Sequence, residues 1–256
     1  LKSLDAIKQA LGERSPEAAE VMGRLARICT SMERPDEAAR LYRSGLEVLR
    51  DEVGSADRRA LTLGSGLARA LDAAGEHAEA EEWYRDTLAG RRQTLGVAEE
   101  PTLQSMSDLA AFLVRTDRAD EARPLILELI DARRKLLRAA YAETAMTSSA
   151  AHGPAVLRHQ TAQLLMDEFL GDLRDPDEAL RYAIEANDIT GHSVPPYLDT
   201  LARAYHLTGA YEQSAATLRR ALDLTPPEMA HHRRSYGRRL RECEALLAEQ
   251  MSERGG

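Results

Sequence analysis

The stretch Leu67–Tyr84, LARALDAAGEHAEAEEWY, decides the fold, because its small and large residues recur one fixed step upstream and one fixed step downstream. Leu25-Ala26, Leu67-Ala68 and Leu109-Ala110 stand 42 residues apart, as do Ala38, Ala80 and Ala122, and Tyr42, Tyr84 and Ile126. A constant period of this length marks a supersecondary unit repeated along the chain. Each unit buries its apolar face only against its neighbours, so the structure grows along one axis and a length of 256 residues does not count domains. Apolar residues make up 43% and aromatics only 4%, with Ala and Leu at helical spacing. Small residues let helices cross closely, so the expected fold is an all-α solenoid of antiparallel helix pairs.

Outward from that stretch, Gly75 stands where a helix must end in a left-handed residue, a conformation glycine adopts without a Cβ penalty. Asp117 takes the same place one period later, as a short polar side chain can. Upstream, Ser15 and Pro16 read as the N-cap and first residue of a helix that turns Val21, Leu25 and Ile28 inward. Arg34-Pro35-Asp36 breaks that helix and opens the next, whose inner stripe is Ala38, Leu41, Tyr42 and Leu46. Asp51–Arg59 connect it to the following pair. Residues 1–12 place Leu1, Leu4, Ile7, Ala10 and Leu11 on one stripe and read as half a unit. Because the chain begins at Leu1 rather than Met, it is expected to be cut from something longer.

Downstream, the third pair runs from Pro101 to Tyr141, with Pro124 expected near the first turn of its second helix. After Arg138 the period fails: Ala139–Pro154 is small and polar and reads as a helix end and a loop. Three segments follow from this: repeat units over 1–146, a hinge over 147–154, and further units with a capping helix over 155–256. The Pro-Asp-Glu-Ala turn of Pro35–Ala38 returns at Pro176–Ala179. Leu201, Ala202, Tyr205, Gly209, Leu218, Ala221 and Pro226 keep the spacing of a helix-turn-helix repeat of about 34 residues, with Ser214 in place of its usual alanine. The final helix, Glu228–Met251, turns Tyr236, Leu240, Leu246 and Leu247 inward and closes the open end of the array.

These residues resemble tetratricopeptide repeats, and Leu1–Tyr141 is similar to the 42-residue variety of kinesin light chains, most specifically over Glu76–Gly96, EHAEAEEWYRDTLAGRRQTLG. The resemblance implies a right-handed superhelical solenoid that binds proteins or peptides in a concave groove lined by the first helix of each pair. On that register Arg27, Arg69 and Arg203 share one groove position, with Ser65, Asp72, Ser107, Asp108, Arg115, Asp199 and His206 nearby. Stacked arginines can hold carboxylates by charge-assisted hydrogen bonds, which points to an acidic partner. The Lys and Asn with which related repeats clamp a peptide's C-terminus are absent; Gly23, Arg27, Gly66, Gln104 and Asp108 stand there. The asparagines that kinesin light chains present before Leu-Ala are replaced by Arg24, Gly66 and Asp108. Asp172–Asp188, DLRDPDEALRYAIEAND, together with Tyr197–Leu222, is similar to the repeat tails behind bacterial serine/threonine protein kinase domains. The readings are therefore a non-catalytic scaffold or a regulatory segment of a larger signalling enzyme; self-association through end helices fits either.

No motif orders Ser, His and Asp for nucleophilic catalysis, and no HRD, DFG or VAIK sequence occurs, so no enzyme and no cofactor is expected. Gly64-Ser65-Gly66 lies inside a helix and lacks the glycine fingerprint of a phosphate loop, which leaves close helix packing. Trp83 is expected to cover a neighbouring helix. His231, His232 and Cys243 lack a second cysteine at ligand spacing, so no metal is expected. A formal charge of −8 opposes general nucleic-acid binding. His231-His232-Arg233-Arg234 with Arg238, Arg239 and Arg241 could form a local basic patch, but interleaved Glu228, Glu242 and Glu244 favour a solvated helix face. Two distant cysteines, Cys29 and Cys243, and no long apolar run favour a cytoplasmic setting with no membrane span.

Overall fold

The computed structural model describes residues 15–52, 57–144 and 152–255. Among these the chain is all-α, and it divides into two compact units, Leu1–Ala132 and Arg133–Gly256. Residues 1–12, the middle of the Asp51–Arg59 connection and most of the expected hinge lie outside the described residues.

The first unit contains α1 (Pro16–Ser31), α2 (Pro35–Glu52), α3 (Arg58–Ala74), α4 (His77–Thr94), α5 (Glu100–Arg115) and the start of α6 (Ala119–Thr144). Helices α1 to α4 each pack on their successor, and α1 also touches α3, so the first helices of neighbouring pairs stack. Side chains fix the starts: Ser15 Oγ accepts from the Ala18 N–H at 3.0 Å and Asp57 Oδ1 from the Arg59 N–H at 2.8 Å.

The ends of the first helices share one turn, three times, one period apart. Glu33, Gly75 and Asp117 all lie in the left-handed region, at φ 56°, 83° and 62°. In each turn the next N–H reaches back to a carbonyl of the last helical turn, Arg34 to Cys29, Glu76 to Leu71 and Arg118 to Leu113, at 2.8–2.9 Å. These bonds satisfy carbonyls that the helix end leaves over.

Small residues sit where helices cross. Ala38, Ala80 and Ala122 are all fully buried at one repeat position, and buried Ala179 and Ser214 hold the matching place in the second unit. Ser214 directs its extra oxygen into a 2.7 Å hydrogen bond to the Ala202 carbonyl. The inner stripe of α1 differs from the expected one: Ala18, Ala19, Met22, Gly23 and Ala26 are buried, while Val21 and Leu25 are half-buried and Ile28 is 52% exposed. Close approach selects this small face, since a Cβ on Gly23 would strike Leu63 of α3 and one on Gly45 of α2 would come within 3.3 Å of the Ala19 carbonyl oxygen. Pro124 is the sixth residue of α6, past its first turn, and removes the N–H that would reach the Asp120 carbonyl.

The second unit takes the rest of α6, α7 (His152–Leu165), a 3-10 segment (Glu168–Leu173), α8 (Pro176–Ile189), α9 (Pro195–Leu207), α10 (Tyr211–Leu224) and α11 (Ala230–Gly255). Gly153-Pro154, expected to end a loop, already belong to the first turn of α7, where proline is tolerated. Asp175 caps α8 by accepting from the Glu178 N–H at 2.9 Å. Helix α11 packs on α10 as the expected cap: Tyr236 and Cys243 join Leu198, Ala202, Leu218 and Ala221, with Leu240 and Leu247 on the rim. Among the described residues no helix is long and apolar enough to cross a membrane.

Candidate functional site

Tyr42 of α2 and Tyr84 of α4, one period apart, lie against the first helices and form two successive floors, an upper and a lower one. At the upper floor the Tyr42 hydroxyl lies against Gly66 of α3, where an added Cβ would meet the Tyr42 Oη at 2.7 Å. Tyr42 is buried, which pushes its phenol up, while the guanidiniums of Arg69 and Arg27 pull it back. Both arginines are exposed, and neither has a hydrogen-bond or ion-pair partner among the described residues. Arg27 comes from α1 and Arg69 from α3, so the stacking of these helices sets the two guanidiniums beside one phenol.

At the lower floor Arg69, Asp72, His77, Tyr84, Asp108 and Arg115 line a cleft of ≈ 540 Å³. The Asp72 side chain is 14% exposed and forms an ion pair with Arg115. It also faces His77 Nδ1 at 3.3 Å and accepts a long hydrogen bond from the Tyr84 hydroxyl at 3.4 Å. The Tyr84 ring tilts against Phe112 with centroids 5.3 Å apart. Burial, reinforced by the Asp72 and Asp108 carboxylates, pushes the Tyr84 phenol well above the ordinary tyrosine range. Asp108 Oδ1 accepts from Gln104 Nε2 at 2.8 Å, while its Oδ2 is buried without a partner. Beside this floor buried Arg91 donates to the Pro101 carbonyl and to Ser105 Oγ, each at 2.8 Å.

Of the residues selected from the sequence, four therefore meet in one cleft, Arg69, Asp72, Asp108 and Arg115, with Arg27 beside Arg69 at the floor above. Ser65 is only 6% exposed, and Ser107 is half-buried and outside the cleft lining. In the second unit Arg203 is engaged, donating to the Met166 carbonyl at 3.0 Å. Asp199 pairs with Arg239, and His206 Nδ1 lies 3.5 Å from Cys243 Sγ. Arg203 and His206 border a cleft of only ≈ 50 Å³. The two tyrosine hydroxyls escaped selection, although their 42-residue register was the available signal. Trp83 packs over Gly64, as close helix packing required.

Tetratricopeptide repeat models match residues 1–51, 61–100, 102–138 and 198–230, together more than half of the chain. No curated protein matches the sequence. Among solved structures, the chain is similar to a putative kinesin light chain from Podosopora anserina with nearly identical TPR-like repeats, at 20% identity and a TM-score of 0.54, covering 82% of this chain and 96% of that one. BtubC from P. vanneervenii is similar at 15% identity and a TM-score of 0.56, covering 87% and 85%. A thermophilic TPR protein of Thermus thermophilus is similar at 18% identity and a TM-score of 0.52, covering 86% and 97%. At such identities these structures show the fold. None of these matches bears on the resemblance to kinase tails.

Proposed function

The chain belongs to the tetratricopeptide repeat family, whose helix pairs make protein-interaction scaffolds, and we propose that it holds an acidic peptide segment of a partner protein in the groove formed by α1, α3 and α5. One observation carries this reading: Arg27 and Arg69, stacked one repeat apart, are exposed and without partners beside the Tyr42 hydroxyl. Guanidiniums bind carboxylates through paired N–H donors, and a phenol that keeps its proton adds a third donor. Helix crossings packed through Ala38, Ala80 and Gly66 hold these donors before a ligand arrives, so less entropy is lost on binding. Of the two acidic residues in the adjoining cleft, Asp72 is already committed to Arg115 and Asp108 Oδ1 to Gln104.

Selection of displayed peptides on the purified chain tests this. Bound sequences should be enriched in Asp and Glu, and Arg27→Ala with Arg69→Ala should weaken the best of them by about tenfold, or ~1.4 kcal/mol. Melting should stay unchanged because both side chains are exposed. Equal affinity for the native and double-alanine chains would remove the groove reading.

A further inference from the structure

The cap helix carries a second charged surface. Of the basic residues clustered in its first half, two are engaged within the fold. Arg233 Nη1 donates to the Leu222 and Thr225 carbonyls, both at 2.6 Å, closing the C-terminal end of α10. Arg239 pairs with Asp199 of α9, and burial pushes its guanidinium pKa down. His231, Arg234, Arg238 and Arg241 recur at helical spacing and line one cleft of ≈ 710 Å³. Leu222 of α10, Ser235 and Gly237 are the uncharged members of its lining.

Of the three acidic residues interleaved with this stripe, one is engaged elsewhere, one pairs with Arg238 at the limit of an ion pair, and Glu228 makes no ion pair among the described residues. Glu244 pairs with Arg219 at 2.7 Å, and Glu242 approaches Arg238 no closer than 3.9 Å. Arg234 and Arg241 have no hydrogen-bond or ion-pair partner among the described residues. Along the helix axis Arg234 to Arg241 spans about 10 Å.

We infer that this stripe is a second docking surface, and that its occupant is a short acidic segment of a protein partner. Its charge is local, three guanidiniums on a chain of net charge −8, so long polyanions and anionic bilayers are repelled by the rest of the molecule. A short run of carboxylates matches three guanidiniums spread over about 10 Å without meeting that repulsion. Uncharged Leu222 and Gly237 in the lining leave room for the backbone of an extended peptide between the guanidiniums. The inference is independent of the groove reading, because none of its residues lies in the first unit.

The test uses the full chain carrying Arg27→Ala and Arg69→Ala, which silences the groove. A fluorescent peptide of about six glutamates, spanning ~20 Å when extended, is titrated by anisotropy at low and high salt. Saturable, salt-sensitive binding is expected, and adding Arg234→Glu with Arg241→Glu should weaken it by about tenfold. The milder Arg234→Gln with Arg241→Gln pair should give a smaller loss in the same direction, and circular dichroism should show both variants folded. Absent binding in the groove-silenced chain, or equal binding after charge reversal, would overturn the inference. Tighter binding of a single-stranded oligonucleotide or of phosphatidylserine vesicles, lost in the same variants, would overturn the choice of occupant.

Discussion

Tyr42 and Tyr84 occupy one repeat position and fill the same structural role, yet their surroundings have opposite electrostatic character. Around Tyr42 the charged groups are the free guanidiniums of Arg27 and Arg69, which favour the phenolate and are outweighed chiefly by burial, with a smaller push from Cys29. Around Tyr84 stand Asp72 and Asp108, which add to burial, against Arg115, which is bound to Asp72, and Arg69, which the two tyrosines share. The scaffold thus supplies a rigid position, while residues one turn away set its preference. Gly66 shows the same division, since its counterpart one period later is Asp108: one leaves room for a tyrosine, the other adds a carboxylate to a cleft.

The largest expected effect comes from breaking the upper floor. Gly66→Ala sets a Cβ against the Tyr42 ring and hydroxyl, and should cost about 1–3 kcal/mol through overpacking. A chemical melt of the variant measures this. An unchanged melt would mean that Tyr42 can swing away, which would also dissolve the floor that the groove reading requires. The companion Ala80→Leu, at a fully buried crossing, should cost a similar ~1–3 kcal/mol without touching either hydroxyl.

Removing the hydroxyls sharpens the contrast. Tyr84→Phe deletes a donor to a carboxylate, though through a long bond of 3.4 Å, and should cost about 0.5–1 kcal/mol. Tyr42→Phe should cost almost nothing in stability, because that hydroxyl has no partner among the described residues, yet should weaken an acidic ligand. The pH dependence separates them further. Both phenols titrate higher in the folded chain than unfolded, so each favours the folded state below about pH 10, and this is lost as pH rises above it. Denaturant melts on either side of that value should show Tyr84→Phe removing more of the alkaline loss than Tyr42→Phe. A larger change from Tyr42→Phe would reverse the electrostatic ordering of the two floors.

Much of this architecture was legible because the repeat amplifies weak signals. Leu-Ala pairs and aligned alanines agree across three periods, and Gly75 and Asp117 mark one turn in two of them, which no single occurrence would establish. The sequence was misleading where size competes with proximity. Val21, Leu25 and Ile28 look like a core stripe by hydrophobicity, but the neighbouring helices come so close that the alanine and glycine face is buried instead. Register grouped Arg69, Asp72, Asp108 and Arg115, and these four line one cleft. Their state of engagement was not readable, because the Arg115 pairing with Asp72 spans two repeats and the Arg203 bond ends on a backbone carbonyl. Cys243, considered as a ligand, is a core residue, since α11 turns it onto Ser214, 3.2 Å away.

An effect smaller than that of overpacking concerns the turns that position these floors. Glu33 and Gly75 end the helices that carry Arg27 and Arg69, and both are left-handed, at φ 56° and 83°. A side chain in that region costs about 1–2 kcal/mol, so Glu33→Gly relieves strain. The relief is partly cancelled, because glycine also frees the unfolded chain by about 0.4–1 kcal/mol. A net gain of about 0.5 kcal/mol is expected for Glu33→Gly, and a loss of about 1 kcal/mol for Gly75→Ala, which imposes the strain and has open space around its Cβ. Asp117→Gly should gain less than Glu33→Gly, since a short polar side chain tolerates the conformation better. Because the Cβ at Gly75 meets nothing within 4 Å, its cost is backbone strain alone. The order Glu33→Gly, Asp117→Gly, Gly75→Ala in melting temperature therefore measures whether three identical turns hold three different residues at the expense of conformation. A neutral Gly75→Ala would show that the backbone relaxes there without moving the groove.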